Sequence, residues 1–298
     1  MSLRLYYCDH HEIPLPEGHR FPLRKYRMLR ERLQSTGGFD LQPAPAATPP
    51  TIELAHAPAY VREFLAGTLT PQAQRRIGFP WSQGLVDRTL ASVGGTVQAA
   101  RDALLQGIFG GLAGGTHHAF RSEGAGFCVF NDIAVAIRAL RQEGLIRSVA
   151  IVDLDVHQGD GTAAIFEGDP DVLTLSLHGA NNFPFRKQRS SLDVELADGT
   201  EDAEYLARLE EALPVVWDFA PEMVFFQAGV DALQTDRLGR LALTPAGLAE
   251  RDHMVLEGAL SRDLPIVITL GGGYSEPIEA TVEAHAATFR IAARLLSG

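Results

Sequence analysis

Short apolar segments alternate with longer segments of helical character along most of this chain. A segment that is apolar on successive residues is apolar on both faces when it is extended, which is typical of buried parallel strands. Such strands are expected at residues 3–8, 108–112, 149–154, 171–177, 223–228 and 265–270. Polar motifs repeatedly follow them, at the sheet edge where open α/β folds place their ligands.

Helices are expected between the strands, at residues 21–33, 58–65, 85–106, 132–143, 162–167, 203–219, 245–260 and 276–296. Gly94 and Gly95 weaken the middle of the third helix. Residues 36–50, rich in Gly, Pro and Ala, predict a linker or surface loop, and residues 179–200 are loop-rich. The alternation predicts an α/β fold over residues 1–298 as a single domain, with a mainly parallel central sheet covered by helices on both faces.

Composition changes this picture little. The hydrophobic fraction of 46% is ordinary, and the net charge of −11 argues against direct nucleic-acid binding. That charge is compatible with a cationic substrate, although solubility explains it equally well. Cys8 and Cys128 supply neither a disulfide framework nor a cysteine-rich metal site. With no apolar signal core at the start and no stretch of about 20 apolar residues, we expect a cytoplasmic protein without membrane contact.

The segment 151–161 carries the clearest chemistry, because an apolar strand runs directly into Asp153, Asp155 and His157. Side chains alternate along a strand, so these three lie on one side if the chain stays extended. Two carboxylates and an imidazole can hold a divalent metal. Loop or helix capping explains a single Asp here better than it explains the triplet.

Asp231 follows another buried strand and can reach the same space, which would complete a set of two carboxylates and one imidazole with room for water and substrate. His117 and His118 follow a Gly-Gly-Thr turn and can act as loop residues, ligands or acid–base groups. Tyr274 follows three glycines, so it can pack in the core or donate a hydrogen bond to a developing oxyanion.

Six ordered motifs together resemble the histone deacetylase family, including its acetoin-utilisation-type and acetylpolyamine deacetylase members. They are Gly-Gly-Thr-His-His ending at His118, residues 126–132, residues 153–157, residues 176–178, residues 229–231 and Gly-Gly-Gly-Tyr ending at Tyr274. Residues 15–26 look most like the class IV-type bacterial branch. The resemblance covers most of the chain and implies an arginase/deacetylase-like, open three-layer fold.

The resemblance also implies a role for each matching residue. Zinc would be held by Asp155, His157 and Asp231, while Asp153 would orient His117 and Asp160 would orient His118. His118 would be the principal general base toward water and His117 would assist, with Tyr274 stabilising the tetrahedral intermediate. Matches to the substrate tunnel are Gly126, Phe127 and Phe183; ordinary core packing remains open for the two phenylalanines. Matches to a structural potassium site are Asp153, Asp155, His157, Ser176 and Leu177.

The leading hypothesis is therefore a zinc-dependent deacylase that hydrolyses N-acetyl-lysine on proteins. Acetylpolyamines, other small N-acyl amines and longer acyl chains are alternative substrates, and Fe²⁺ or Co²⁺ could replace zinc. An arginase-like two-manganese hydrolase needs more bridging carboxylates, and Asp236 has the wrong spacing to supply one. A catalytically inactive acyl-lysine binding module is the remaining alternative. Loops 9–20, 67–84 and 179–200 are expected to frame the entrance.

Overall fold

Eight parallel strands form one sheet in the order β2-β1-β3-β8-β7-β4-β5-β6. The computed structural model describes residues 2–296, so residues 1, 297 and 298 of the predicted domain lie outside the described residues. The strands are β1 (Leu3–Tyr7), β2 (Phe39–Pro43), β3 (Ile108–Gly111), β4 (Val149–Asp153), β5 (Val172–Gly179), β6 (Leu192–Leu196), β7 (Met223–Gln227) and β8 (Ile266–Thr269). The predicted α/β fold with a mainly parallel sheet is confirmed.

Helices cover both faces of this sheet. They are α1 (Arg24–Thr36), α2 (Pro49–Ile52), α3 (Pro58–Ala66), α4 (Pro71–Ile77), α5 (Gln83–Gln106), α6 (Asp132–Gln142), α7 (Asp160–Phe166), α8 (Asp202–Asp218), α9 (Pro245–Leu260) and α10 (Ile278–Leu295). Within residues 2–296, no helix combines the length and the apolar character that crossing a bilayer would require.

Side-chain alternation along the central strands produces two hydrophobic cores. In β4, Ala150 and Val152 join the core formed with α1, α8, α9 and α10. Val149 and Ile151 join the core on the opposite face, formed with α3, α5 and α6. A strand buried on both faces needs apolar residues at every position, which is why its sequence is continuously apolar until the site begins.

Two edge strands lie in segments that the sequence predicted as loops. The predicted loop 179–200 contains β6, which pairs with β5, and the predicted linker 36–50 contains β2, which pairs with β1. Edge strands are partly solvated, so they lack the continuous apolar run used to find the central strands. The short helices α2 and α4 also lie where only loops were expected.

The glycine pair in the middle of α5 does not interrupt that helix, which is continuous from Gln83 to Gln106. A Cβ added at Gly94 would lie 2.0 Å from the carbonyl oxygen of Pro45. Glycine lowers the stability of a helix, but a larger residue would not fit here, because the segment after β2 crosses α5 at backbone contact distance.

Candidate active site

The site lies at the carboxyl ends of β4, β7 and β8, three neighbouring strands at the centre of the sheet. Asp155 and His157 follow β4, Asp231 follows β7, and the glycines before Tyr274 follow β8. Strand β4 ends at Asp153, so the extended continuation on which one-sided alternation depended does not occur. Asp153 instead accepts a hydrogen bond from the backbone N–H of Asp155 (3.2 Å), and this turn directs the two carboxylates to different partners.

Asp155, His157 and Asp231 form a compact group of potential metal ligands. One ligand atom from each lies within 4.8 Å of the other two, and all three residues are buried or nearly so. His157 Nδ1 lies 3.0 Å from Asp155 Oδ1 and 3.0 Å from Asp231 Oδ2. One ligand atom from each residue is thus directed to the same place, from the ends of β4 and β7.

Backbone N–H groups hold the second oxygen of each carboxylate. Gly272 N–H donates to Asp155 Oδ2 (2.6 Å), and Val156 N–H donates to Asp231 Oδ1 (2.9 Å). A Cβ at Gly272 would lie 1.9 Å from Asp231 Oδ2, so only glycine permits this approach. Each carboxylate is therefore fixed by one oxygen and presents the other to His157.

The electrostatics of this group favour a cation. Burial by itself would lower the pKa of His157, but Asp155 and Asp231 overcome burial and raise that pKa to about 10. A divalent metal would supply the positive charge that two adjacent buried carboxylates require. One nitrogen and two oxygen donors suit Zn²⁺, Fe²⁺ or Co²⁺. The residues present fit such an ion.

His117 and His118 each bind a buried carboxylate through Nδ1: Asp153 Oδ2 for His117 and Asp160 Oδ1 for His118, both at 2.7 Å. The pKa values of the two imidazoles are shifted in opposite directions. Burial would lower the pKa of His117, yet Asp153 and Asp155 raise it to about 9. Burial and the neighbouring charge of His117 lower the pKa of His118 to about 4. At neutral pH the pair thus comprises one imidazolium and one free base.

Asp132 shapes the loop that presents this histidine pair, a role that its sequence motif did not reveal. Its carboxylate accepts hydrogen bonds from the backbone N–H groups of Gly115 (3.1 Å) and Thr116 (2.8 Å), and from the hydroxyl of Thr96 (2.7 Å). Only the tertiary contact between α5 and α6 brings these groups together, so a sequence pattern carries no direct signal for it.

Tyr274 lines the same cavity as the histidine pair, and two further residues hold its loop. Asp236 Oδ2 accepts the Tyr274 N–H (2.6 Å), while its Oδ1 accepts the N–H groups of Leu238 (2.8 Å) and Gly239 (2.9 Å). The buried Lys25 donates to the Gly273 carbonyl (3.1 Å). Burial holds the pKa of the Tyr274 phenol well above its usual value, so the phenol remains a hydrogen-bond donor.

Arg251 anchors the two strand ends that carry the ligands. Its guanidinium is fully buried and donates to the carbonyls of Leu154 (3.2 Å) and Gly229 (2.6 Å). Asp252 accepts from the same guanidinium and compensates its charge. Arg251 is thus a positioning residue that sequence reasoning missed, because its partners lie far from it in the chain.

A cavity of about 800 Å³ leads from the surface to these groups. Phe183 packs edge-on against His118, with ring centroids 4.9 Å apart, and Phe127 faces Tyr274 across 6.3 Å. Gly126 lies against His118 and Phe183: a Cβ there would lie 2.7 Å from the His118 ring and 3.3 Å from Phe183. The three predicted tunnel residues therefore surround one passage, and all three predicted entrance loops contribute to its lining.

The residues proposed for potassium meet where β4 and β5 end. Asp153 pairs with Ser176 in the parallel register, and Ser176 Oγ lies 2.9 Å from His178 Nδ1. Leu177 is the next residue of β5 and is fully buried. Potassium binding here stays a prediction.

Comparison with known proteins agrees with this geometry. The family profile of the histone deacetylase domain matches residues 19–290. An uncharacterized protein of Picosynechococcus sp. is 46% identical over 298 residues, covering 98% of this chain and 99% of that protein. Histone deacetylase 2 of Arabidopsis thaliana is 39% identical over 186 residues (61% of this chain, 48% of that protein). A probable deacetylase of Archaeoglobus fulgidus is 34% identical over 207 residues (64% and 57%).

A solved structure of an HDAC homolog from Aquifex aeolicus superposes with a TM-score of 0.84 at 24% identity, over 98% of this chain and 84% of that one. This likeness confirms the predicted arginase/deacetylase-like fold. The fold therefore places the chain in the arginase/deacetylase class of hydrolases. The chain belongs to the histone deacetylase family. It spans about half the length of the two named deacetylases above.

Proposed function

We propose that this protein is a metal-dependent deacylase that hydrolyses the amide of N-acetyl-lysine in proteins. One observation carries the proposal: three buried ligand residues and two carboxylate-bound histidines converge at the floor of one cavity. An amide has a weakly electrophilic carbonyl and a poor leaving group, so its hydrolysis needs carbonyl polarisation, a base for water and an acid for nitrogen. Separate residues here can meet each need.

Asp155, His157 and Asp231 would hold the ion, which we propose to be Zn²⁺. A bound Zn²⁺ supplies a Lewis acid that polarises a carbonyl and lowers the pKa of water. The ligands are preorganised by the N–H groups of Gly272 and Val156. We also propose that K⁺ occupies the adjacent set of Asp153, Asp155, His157, Ser176 and Leu177 as a structural ion.

His118 is the proposed general base. Asp160 holds its Nδ1, which leaves Nε2 for the cavity that the ring lines. Since its pKa is lowered to about 4, the ring is neutral at pH 7 and can accept a proton from the attacking water. The proton taken up by His118 then passes to the departing amine nitrogen. His117, which Asp153 holds through Nδ1, would assist electrostatically or in proton transfer.

Tyr274 is the proposed oxyanion donor. Its raised pKa keeps the phenol protonated, and Asp236 fixes its backbone. A donor fixed before the reaction stabilises charge that appears only in the transition state. Phe127 and Phe183 would enclose the apolar stem of acyl-lysine, and Gly126 would let that stem pass beside His118.

Acetylpolyamines, other small N-acyl amines and longer acyl chains are the alternative substrates of the same site. An arginase-like pair of manganese ions lacks ligands among the described residues, since the Asp236 carboxylate is already bound to three backbone N–H groups. An inactive binding module would not need two histidines each held by a carboxylate.

The test is turnover of acetyl-lysine peptide, acetylpolyamine and longer-acyl peptides by metal-loaded protein, with and without a chelator. We expect chelator-sensitive release of acetate from the acetyl-lysine peptide and about one tightly bound ion per chain. His118→Ala should lose most turnover and keep its metal. No chelator-sensitive turnover on any substrate would contradict the proposal and favour the binding module.

A further inference from the structure

The mouth of the cavity is basic, although the chain as a whole carries a charge of −11. Four arginines from three separate segments line the cavity: Arg20, Arg75, Arg76 and Arg240. Among the residues that line it, the only carboxylate is Asp155, which is buried at the floor among the metal ligands. The mouth therefore has a sign opposite to that of the whole chain.

Two of these arginines are neutralised locally and two are not. Arg76 pairs with Glu123, and Arg240 pairs with Asp198 (3.1 Å). Arg20 and Arg75 are exposed and have no ion-pair partner among the described residues. The mouth thus retains two uncompensated guanidinium groups that face the cavity.

The aromatic loop at the mouth carries further basic residues, which lie outside the cavity lining. Phe183 and Phe185 are exposed to 38% and 86%, and the next residues are Arg186, Lys187, Gln188 and Arg189. Lys187 Nζ donates to the carbonyls of Asn182 (2.6 Å) and Pro184 (2.7 Å), which fixes the loop, and Glu195 faces it electrostatically. Arg186 and Arg189 of this loop are exposed and have no ion-pair partner among the described residues.

We infer that this site selects acyl-lysine flanked by acidic residues and discriminates against polycationic amides such as acetylpolyamines. The inference rests on the proposed deacylase function and names its substrate class. Arginine clusters recognise carboxylates through charge and paired N–H donors. A polyamine would bring ammonium groups to the same arginines. The net charge of the chain, which alone is compatible with a cationic substrate, does not describe this surface.

The test uses three peptides that share one acetyl-lysine and carry Glu, Gln or Lys at the flanking positions. An exposed ion pair changes binding by about two- to fivefold, so two arginines predict about a tenfold higher kcat/KM for the Glu peptide than for the Lys peptide at low salt. The difference should lie mainly in KM. It should shrink as ionic strength rises from about 20 mM to about 500 mM, where charges beyond several ångströms are screened.

Arg20→Gln/Arg75→Gln should bring the Glu-to-Lys ratio of kcat/KM to within about twofold of one. Arg294→Gln is the matched control, because Arg294 is exposed in the last turn of α10, about 24 Å along the helix from its start near Tyr274. This control should keep the full ratio. Equal kcat/KM for the three peptides at low salt, or an unchanged ratio in the double variant, would overturn the inference.

Failure of the proposed function would look different from failure of this inference. Chelator-sensitive turnover of the Gln peptide tests the deacylase activity itself. If no peptide is hydrolysed, fluorescence anisotropy with the same peptides, carrying an uncharged dye, still measures the ratio of Kd on the metal-loaded protein. Tighter binding of the Glu peptide, lost in the double variant, would support the inference there, and equal Kd values would refute it.

Discussion

Lys25 offers a prediction about the pH dependence of stability. It is 2% exposed, its ammonium donates to the carbonyl of Gly273, and it lies 5.1 Å from the ring centroid of Tyr274. Burial lowers its pKa from 10.5 to about 8, although Asp231, Asp236 and Asp155 oppose the shift. Burying this cation therefore costs stability, and Lys25→Met removes the cost while keeping a long apolar side chain.

The expected change in the free energy of unfolding follows from the pKa shift of Lys25. Each pKa unit is worth about 1.4 kcal/mol, so the shift corresponds to about 3 kcal/mol of destabilisation at pH 7. A hydrogen bond from a charged donor returns about 1.5–3 kcal/mol. Lys25→Met should consequently be as stable as the wild type at pH 7, or more stable by up to about 2 kcal/mol.

The pH dependence gives the sharper test, because its sign is fixed. Between about pH 8 and 10.5 the unfolded chain binds a proton at Lys25 that the folded chain has released, so wild-type stability rises with pH in this window. Relative to Lys25→Met, the wild type should gain about 2 kcal/mol between pH 7 and pH 9.5. Other groups titrate in both proteins and cancel in the difference.

Urea unfolding of chelator-treated wild type and variants at both pH values would measure this gain. Lys25→Arg is the control: its guanidinium stays protonated to pH 9.5, so it should show no such gain over Lys25→Met. A stability difference between wild type and Lys25→Met that is flat from pH 7 to 9.5 would refute the reasoning.

Three further predictions concern the site. Tyr274→Phe should lower kcat about 10²- to 10³-fold and retain its metal; near-wild-type turnover would remove its oxyanion role. Asp160→Asn should lower kcat about 10- to 100-fold because the partner of His118 loses its negative charge, and metal analysis should show full occupancy. Arg251→Met leaves the Asp252 carboxylate buried without its ion pair, so it should destabilise the fold by about 3–5 kcal/mol. It should also weaken Zn²⁺ binding about 10- to 100-fold, and unchanged affinity in a metal titration would contradict its positioning role.

The central strands and the clustering of Asp155, His157 and Asp231 could be predicted, because each has a local pattern in the sequence. Strand β4 is apolar at consecutive positions, and Asp155 and Asp231 each follow such a strand at the edge where parallel strands end together. Strand β6 has a different sequence pattern, the apolar–polar alternation Leu-Asp-Val-Glu-Leu, because it is partly exposed to solvent at the sheet edge. Strand β6 therefore lacks the continuous apolar run that marks the central strands.

The positioning residues could not be predicted, because their roles depend on partners far away in the chain. Lys25 contacts a carbonyl 248 positions later, and Arg251 contacts one 97 positions earlier. Lysine and arginine on an amphipathic helix are usually solvent-exposed, so a sequence pattern assigns both to the surface. Only the packing of α1 and α9 against the strand ends shows that these two cations lie inside.

The same packing explains why the floor of the cavity is suited to a metal. Burial raises the pKa of Asp231, and the adjacent Asp155 adds to this effect, so ionising both carboxylates is costly in the folded chain. Hydrophobic residues of similar volume in place of the carboxylates would avoid that cost. The chain instead has two carboxylates here and holds each in place with a backbone N–H group. Since a divalent ion would offset this cost on binding, the proposed metal should also stabilise the fold. A fold that holds two buried carboxylates this firmly beside one imidazole is suited to bind a cation.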